Sequence, residues 1–327
     1  MLWEAVMEAK QAARWKHLRG ADIQTGLQQM MRSGAARFRG VQREAIQAIV
    51  EGAPRIIAVM PTGEGKSLLF QLPAYISPRG LTIVVVPLVA LRYDMMARCA
   101  EIGVRAREWE ADRQVDDASI VFVTPETAAQ NASFRSFAQR NRRRLDRIVI
   151  DECHVVLNES TTFRRHLQRL GGLVKMASQM IMVTATLPVS KTDKLKRNMF
   201  WSGLDVREFR MRTARTNIRY SVCTIDGSER EYDEAVVRVV EAKFRQYQPG
   251  KMIVYCNSTT GVSKYADMLG VDAYFSDADL KAEKFSDFRS GRTRLMVATS
   301  ALGLGIDIPD IRAVIHVDWP FGMIEFS

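Results

Sequence analysis

Residues 60–67 read Met-Pro-Thr-Gly-Glu-Gly-Lys-Ser, and Asp151-Glu152-Cys153-His154 closes an apolar run further along the chain. A glycine-rich loop ending in Lys-Ser can cradle the phosphates of a nucleotide. Gly63 and Gly65 let backbone N–H groups approach phosphate oxygens, with Pro61, Thr62 and Glu64 completing the loop. Lys66 would neutralise the β- and γ-phosphates, and the Ser67 hydroxyl would ligate magnesium. Asp151 would hold the same ion through water, while Glu152 would orient and deprotonate an attacking water. Together the two groups point to hydrolysis of a nucleoside triphosphate. Met60 stands where the GxxxxGK(S/T) pattern has its first glycine, so the reading leans on a strand before the loop and a helix after it.

The surrounding sequence supplies those elements. Short apolar runs predict strands at 55–60, 81–87, 119–124, 147–151 and 179–184, and helical periodicity predicts helices at 42–51, 66–75, 88–101, 163–175 and 191–201. This alternation is that of an α/β domain with a parallel sheet. A break near Ser202-Gly203 and an Arg-rich stretch at 207–219 precede a second series. Its strands are expected at 220–224, 252–256, 272–275, 294–298 and 313–317, with helices at 229–247, 259–269 and 279–290. The expected division is a helical N-terminal segment, 1–32, a first domain, 33–205, and a second, 206–327. Leu2, Val6, Met7 and Met30 are candidate docking positions of the N-terminal segment.

Composition narrows the class. Across 327 residues, 47% are hydrophobic and 26% charged, as in folded globular proteins. No apolar run is long enough to cross a membrane as a helix, so no membrane partner is expected. Cys99, Cys153, Cys223 and Cys256 are scattered with no CxxC pair, which predicts neither a disulfide framework nor a zinc site and fits a reducing, intracellular compartment. The net charge of +10 is compatible with a polyanionic partner. Its densest cluster, Arg140, Arg142, Arg143, Arg144 and Arg147, reads as a solvated helix end and loop.

Beyond the two chemical motifs, the order of further segments resembles the superfamily 2 helicases, and more narrowly the RecQ-type DNA helicases. The resemblance runs from about Phe38 to the C-terminus. Phe38-Arg39-Gly40-Val41-Gln42 resembles the family's motif ahead of the phosphate loop, which implies that Gln42 reads the adenine edge of ATP. Residues 60–74 resemble the first motif, Val86-Pro87-Leu88-Val89-Ala90-Leu91 motif Ia, and Val123-Thr124-Pro125-Glu126 motif Ib. Pro87, Thr124 and Pro125 thereby inherit a place beside nucleic-acid phosphates. Asp-Glu-Cys-His stands in for Asp-Glu-Ala-His, with Cys153 read as a packing residue without special reactivity. Thr184-Ala185-Thr186 resembles the coupling motif, Val254-Tyr255-Cys256-Asn257-Ser258 motif IV, and residues 297–307 motif V, bringing in Asn257, Thr299, Gly303, Gly305 and Asp307.

The resemblance implies an α/β fold of two tandem RecA-like parallel-sheet domains. It implies ATP and Mg2+ as cofactors, and single-stranded DNA and duplex junctions as partners. It further implies 3′→5′ unwinding in DNA repair and recombination, in the nucleus if the organism is eukaryotic. Two departures qualify it. The family's Trp-containing loop is replaced by residues 155–164, where only Phe163-Arg164 matches, leaving Arg164 as the inherited contact. The sequence stops at Ser327, where motif VI and its arginine finger would follow, so the second domain is expected to be incomplete. The alternatives are therefore a truncated ATP- and nucleic-acid-binding protein with little turnover, or a related RNA helicase.

Overall fold

The computed structural model describes residues 2–87, 89–111, 115, 117–157, 179–212, 217–275, 281–299, 302, 308 and 310–317. The chain divides into two compact units, Met1–Arg215 and Thr216–Ser327.

The first unit is built on a parallel sheet. Its strands are β1 (Arg55–Val59), β2 (Leu81–Val85), β3 (Ala106–Glu108), β4 (Ile120–Val123), β5 (Leu145–Ile150), β6 (Gln179–Thr184) and β7 (Arg207–Arg210), in the order β3-β4-β2-β5-β6-β1-β7. The five central strands are buried almost throughout, as continuous runs of Ile, Val and Met covered on both faces should be. The two outer strands are short and charged, which suits an edge. Registers Val59↔Thr184, Ile150↔Met182 and Val85↔Ile150 bring the carboxyl ends of β1, β6, β5 and β2 to one edge. Helices α3 (Gln42–Glu51), α4 (Leu68–Ile76), α5 (Val89–Glu101), α6 (Pro125–Gln130), α7 (Ala132–Arg140) and α8 (Val189–Asn198) complete this unit with two at the N-terminus. A cluster containing Ile57, Val85, Ile148 and Trp201 fills one side of the sheet, and one containing Ile56, Val84, Val149 and Phe70 the other.

The N-terminal helices α1 (Leu2–Arg19) and α2 (Ile23–Met30) dock through Trp15, Leu18, Ile23, Leu27 and Met30. Val6, an expected docking position, is exposed, and the side chains of Leu2 and Met7 lie outside the described residues. A buried ion pair fixes α1: Arg14 Nη2 lies 2.6 Å from Asp146 Oδ1, with side-chain exposures of 11% and 2%. Gly80 makes room for it, since a Cβ there would collide with the Asp146 carboxylate. Asp146→Ala would strand the Arg14 guanidinium and is expected to lower the stability of the first unit by about 3 kcal/mol, read by urea denaturation.

Arg147 departs from the reading of the arginine cluster as a solvated run, whereas Arg140 and Arg142 are exposed as that reading expects. Arg147 is fully buried, donating from Nε to Gln179 Oε1 (3.2 Å) and from Nη1 to Thr82 Oγ1 (3.3 Å), with the Trp15 ring 5.9 Å away. Burial lowers its pKa. Gln179 relays the anchorage, donating to Ile49 O and Ala53 O at the end of α3.

The second unit holds β8 (Lys251–Tyr255), β9 (Asp272–Tyr274), β10 (Leu295–Ala298) and β11 (Ile311–His316), parallel and in the order β11-β8-β10-β9. Its helices are α9 (Glu229–Gln246), α10 (Thr259–Leu269) and α11 (Lys281–Ser290). Ser228 opens α9 with a capping box to Glu231. The expected strand at 220–224 does not form, and Tyr220 and Val222 are exposed. Alternation alone makes no strand where no described neighbour supplies a ladder.

One further expectation shifts. The division falls after Arg215 rather than after 205, because β7 pairs with β1 (Ile57↔Glu208) and Met211 N donates to Val59 O at 2.9 Å. The predicted helix at 163–175 lies outside the described residues. Among the described residues no helix is long and apolar enough to cross a membrane.

Candidate nucleotide site

The phosphate loop leaves β1 at its carboxyl end and α4 begins just after Ser67, the strand–loop–helix context that the motif needs. Gly63 (φ +85°) and Gly65 (φ +67°) adopt left-handed backbone that a side chain disfavours. Among the described residues, no hydrogen bond engages the backbone N–H of Gly63, Gly65, Lys66 or Ser67, so these donors line the helix N-terminus as a cradle for anionic oxygens. Pro61, Glu64 and Ser67 are half-buried, and Thr62 is exposed.

Gln42 ties the loop to the segment before α3. Its Oε1 accepts from Arg39 N at 2.8 Å, and its Nε2 donates to Glu64 O at 2.8 Å. These bonds orient the buried amide and leave it a second N–H and a second oxygen lone pair with which it could meet an adenine edge. A Cβ on Gly65 would come within 2.8 Å of Gln42 Nε2. Gly65→Ala therefore combines backbone strain with a clash, and is expected to weaken nucleotide binding about tenfold in a titration calorimeter.

Strand β6 lies between β1 and β5, so Thr184 stands between the loop and the Asp-Glu pair. Lys66 Nζ lies 4.0 Å from Glu152 Oε1. Glu152 Oε2 is 3.2 Å from His154 Nδ1 and 3.5 Å from Thr184 Oγ1. His154 Nδ1 and Thr184 Oγ1 are 2.9 Å apart, and Thr186 N donates to the same hydroxyl at 3.1 Å. Glu152 has φ +49°, a turn that swings its side chain off the end of β5, and its N–H donates to Asp151 Oδ1 at 3.0 Å. Burial first, and then the Glu152 charge, push the Asp151 carboxyl up to about 7. Burial opposes ionisation of Glu152 too, but the His154 hydrogen bond and the Lys66 charge hold it below the ordinary carboxylate value. The two neighbours are driven apart: one carboxyl reluctant to ionise without a cation, the other kept as an anion.

This donor set fits magnesium with a nucleotide. Such an ion is typically held by one or two carboxylates, water and substrate phosphates. Asp151 is a buried carboxyl that a cation would hold ionised, and Ser67 supplies a hydroxyl at the loop. Among the described residues no group of three or more His, Cys, Asp and Glu side chains is placed to hold a metal by itself. Cys153 is buried, and burial with the adjoining carboxylates raises its thiol well above the ordinary value, which makes it a packing residue.

The other expected positions sit at strand ends. Pro87 follows β2, and Thr124 follows the adjacent β4, where its Oγ1 accepts from Thr127 N (3.2 Å) and Pro125 opens α6. In the second unit, Asn257 follows β8 and Thr299 follows β10, with Thr299 N donating to Tyr274 O at 3.1 Å. Arg164, Gly303, Gly305 and Asp307 lie outside the described residues. The sequence assigned no role to His154. Its signal was its position in the Asp-Glu-Cys-His string, and only the placement of β6 gives it Thr184 as a partner.

Known proteins match both halves of the chain. The DEAD/DEAH box helicase family model covers residues 39–195, and the helicase conserved C-terminal domain model covers 231–327. The RecQ-like DNA helicase blm-1 of Caenorhabditis elegans is 32% identical over 337 residues, covering 93% of this chain and 33% of that protein. The ATP-dependent DNA helicase RecQ of Haemophilus influenzae is 30% identical over 311 residues, covering 88% of this chain and 47% of that protein. The chain thus spans half or less of the length of these curated relatives. A DNA-bound structure of the DUF1998 helicase MrfA shares the fold with TM-score 0.68 at 18% identity, covering 93% of this chain and 48% of that one. Two parallel-sheet RecA-like domains, an ordered motif series and these relatives agree: the chain belongs to the DEAD/DEAH-box helicases of RecQ type.

Proposed function

We propose that this chain is the ATPase motor of a DNA helicase, hydrolysing ATP with magnesium and moving 3′→5′ along single-stranded DNA. The observation that carries the reading is the join at the carboxyl edge, where Lys66, Glu152, His154 and Thr184 connect the phosphate loop, the Asp-Glu pair and the end of β6. The loop N–H groups and Lys66 hold the triphosphate. Glu152 takes a proton from a water molecule as its oxygen bonds to the γ-phosphorus and the bond to the β-phosphate oxygen breaks. Magnesium, when bound through Ser67 and Asp151, supplies charge neutralisation on the phosphate oxygens. Thr184 and His154 contact Glu152 from a neighbouring strand and a 3-10 turn, so a change at the γ-phosphate reaches the start of Thr184-Ala185-Thr186 through a single hydrogen bond. The strand ends at Pro87 and Thr124 offer backbone beside which nucleic-acid phosphates can lie.

Steady-state ATPase assays of the chain with single-stranded DNA or RNA of one sequence test the reading. Turnover raised at least about tenfold by DNA is expected. Stimulation by RNA alone would overturn the choice of DNA, and absence of turnover would overturn the motor.

A further inference from the structure

The edge of the first sheet opposite the nucleotide carries arginines that the ATPase site does not use. The end of α7 carries Arg140, and the turn from it to β5 holds Arg142, Arg143 and Arg144. Its structure brings in two more arginines. Arg144 donates to Arg79 O (3.3 Å) and Ala118 O (3.0 Å), and Arg105 donates to Pro78 O (3.1 Å). Leu81 N donates to Arg144 O at 2.7 Å, closing the turn onto the start of β2. These clamps end on carbonyl oxygens, which orient a guanidinium without cancelling its charge.

Carboxylates cancel little of it. Glu8 is 3.3 Å from Arg143, Asp117 is 3.8 Å from Arg107, and Asp146 is buried under Arg14. Glu101, the last residue of α5, adds one exposed carboxylate. Arg79, Arg105, Arg140 and Arg142 remain exposed and belong to no described pair with an acid. The strands between the two edges are short, so this face lies roughly 17–20 Å from the nucleotide loop, well beyond a Debye length at ordinary salt.

We infer that this arginine edge binds the phosphate backbone of a nucleic-acid duplex, as a docking surface separate from the nucleotide edge. Arg144 and Arg105 are anchored on carbonyl oxygens, the exposed arginines stand beside them on the same edge, and planar forks pair with phosphate oxygens bidentately. Such contacts carry no base readout, so the surface takes duplex of any sequence and holds it by counterion release. The choice of nucleic acid over another polyanion rests on the helicase reading above.

The test compares the chain with R79A/R140A/R142A, measuring anisotropy of a labelled blunt duplex across a salt series. The variant is expected to bind about tenfold more weakly at low salt, with the plot of log affinity against log salt shallower by about 2. ATPase activity without DNA is expected to be unchanged, and R79K/R140K/R142K is expected to restore the slope. Equal affinity and slope in the alanine variant overturn the surface. Poly-glutamate binding as tightly as duplex overturns nucleic acid as its occupant. Salt-steep duplex binding that the alanine variant loses, in a chain whose ATPase ignores DNA, keeps the surface and removes the motor reading instead.

Discussion

Lys66→Ala is expected to lower ATP turnover at least about 10³-fold and to weaken ATP binding by about 2 kcal/mol. The side chain is mostly buried, 14% exposed, and its ammonium stands 4.0 Å from Glu152. In so sheltered a site a positive charge facing developing phosphate charge is worth far more than in water. Its loss acts twice. The β- and γ-phosphates lose their protein cation, and both carboxyls lose a neighbour that holds them ionised. Calorimetric titration and steady-state ATPase assays measure the two effects, and an unchanged unfolding midpoint would confirm that neither comes from misfolding. Near-normal turnover in this variant would remove the phosphate-loop assignment.

Strands buried on both faces were legible because their runs are apolar from end to end: β2 and β6 can be read directly from Leu81–Val85 and Gln179–Thr184. The edge strands were not. β3 and β7 are short and read as Ala-Arg-Glu and Arg-Glu-Phe-Arg, with no periodicity of their own. A partner strand makes them, and that partner is far away in sequence. The same missing information placed the domain division too early, since only pairing with β1 attaches 207–210 to the first unit. Residues 220–224 erred in the opposite direction, with an alternating pattern and no described ladder to join.

The site divides in the same way. The cradle and the Asp-Glu pair are contiguous strings whose residue types suggest their chemistry, so the sequence is enough to nominate them. The link from Glu152 through His154 to Thr184 needs β6 to lie between β1 and β5, a fact of topology. Gln42 shows a subtler limit: the resemblance suggests a ligand contact, and only the fold shows that the same amide also bridges Arg39 to the loop. Arg147 shows that a charge run does not reveal which member is buried. That depends on Trp15, Thr82 and Gln179 arriving from three other segments.

Glu152→Gln is expected to separate binding from chemistry, leaving ATP affinity within about threefold of wild type while turnover falls about 10²–10⁴-fold. The amide keeps the size of the side chain and an oxygen that can still accept a hydrogen bond, but it cannot take a proton from water. Its effect on Asp151 is favourable, because the Glu152 charge is a cause, second to burial, of that carboxyl's raised value. Without that charge Asp151 ionises more readily, so any magnesium-assisted binding is preserved or improved. Lys66, 4.0 Å away in the wild type, loses a competing anion and remains free to face the phosphates. Titration with a slowly hydrolysed fluorescent ATP analogue reads the affinity, and single-turnover hydrolysis of ATP reads the chemical step. Binding that collapses along with turnover would make Glu152 a structural anchor of the loop, and wild-type turnover would place the base elsewhere. Only intact binding with slow hydrolysis fits a carboxylate held ionised by His154 and Lys66 to take the water's proton.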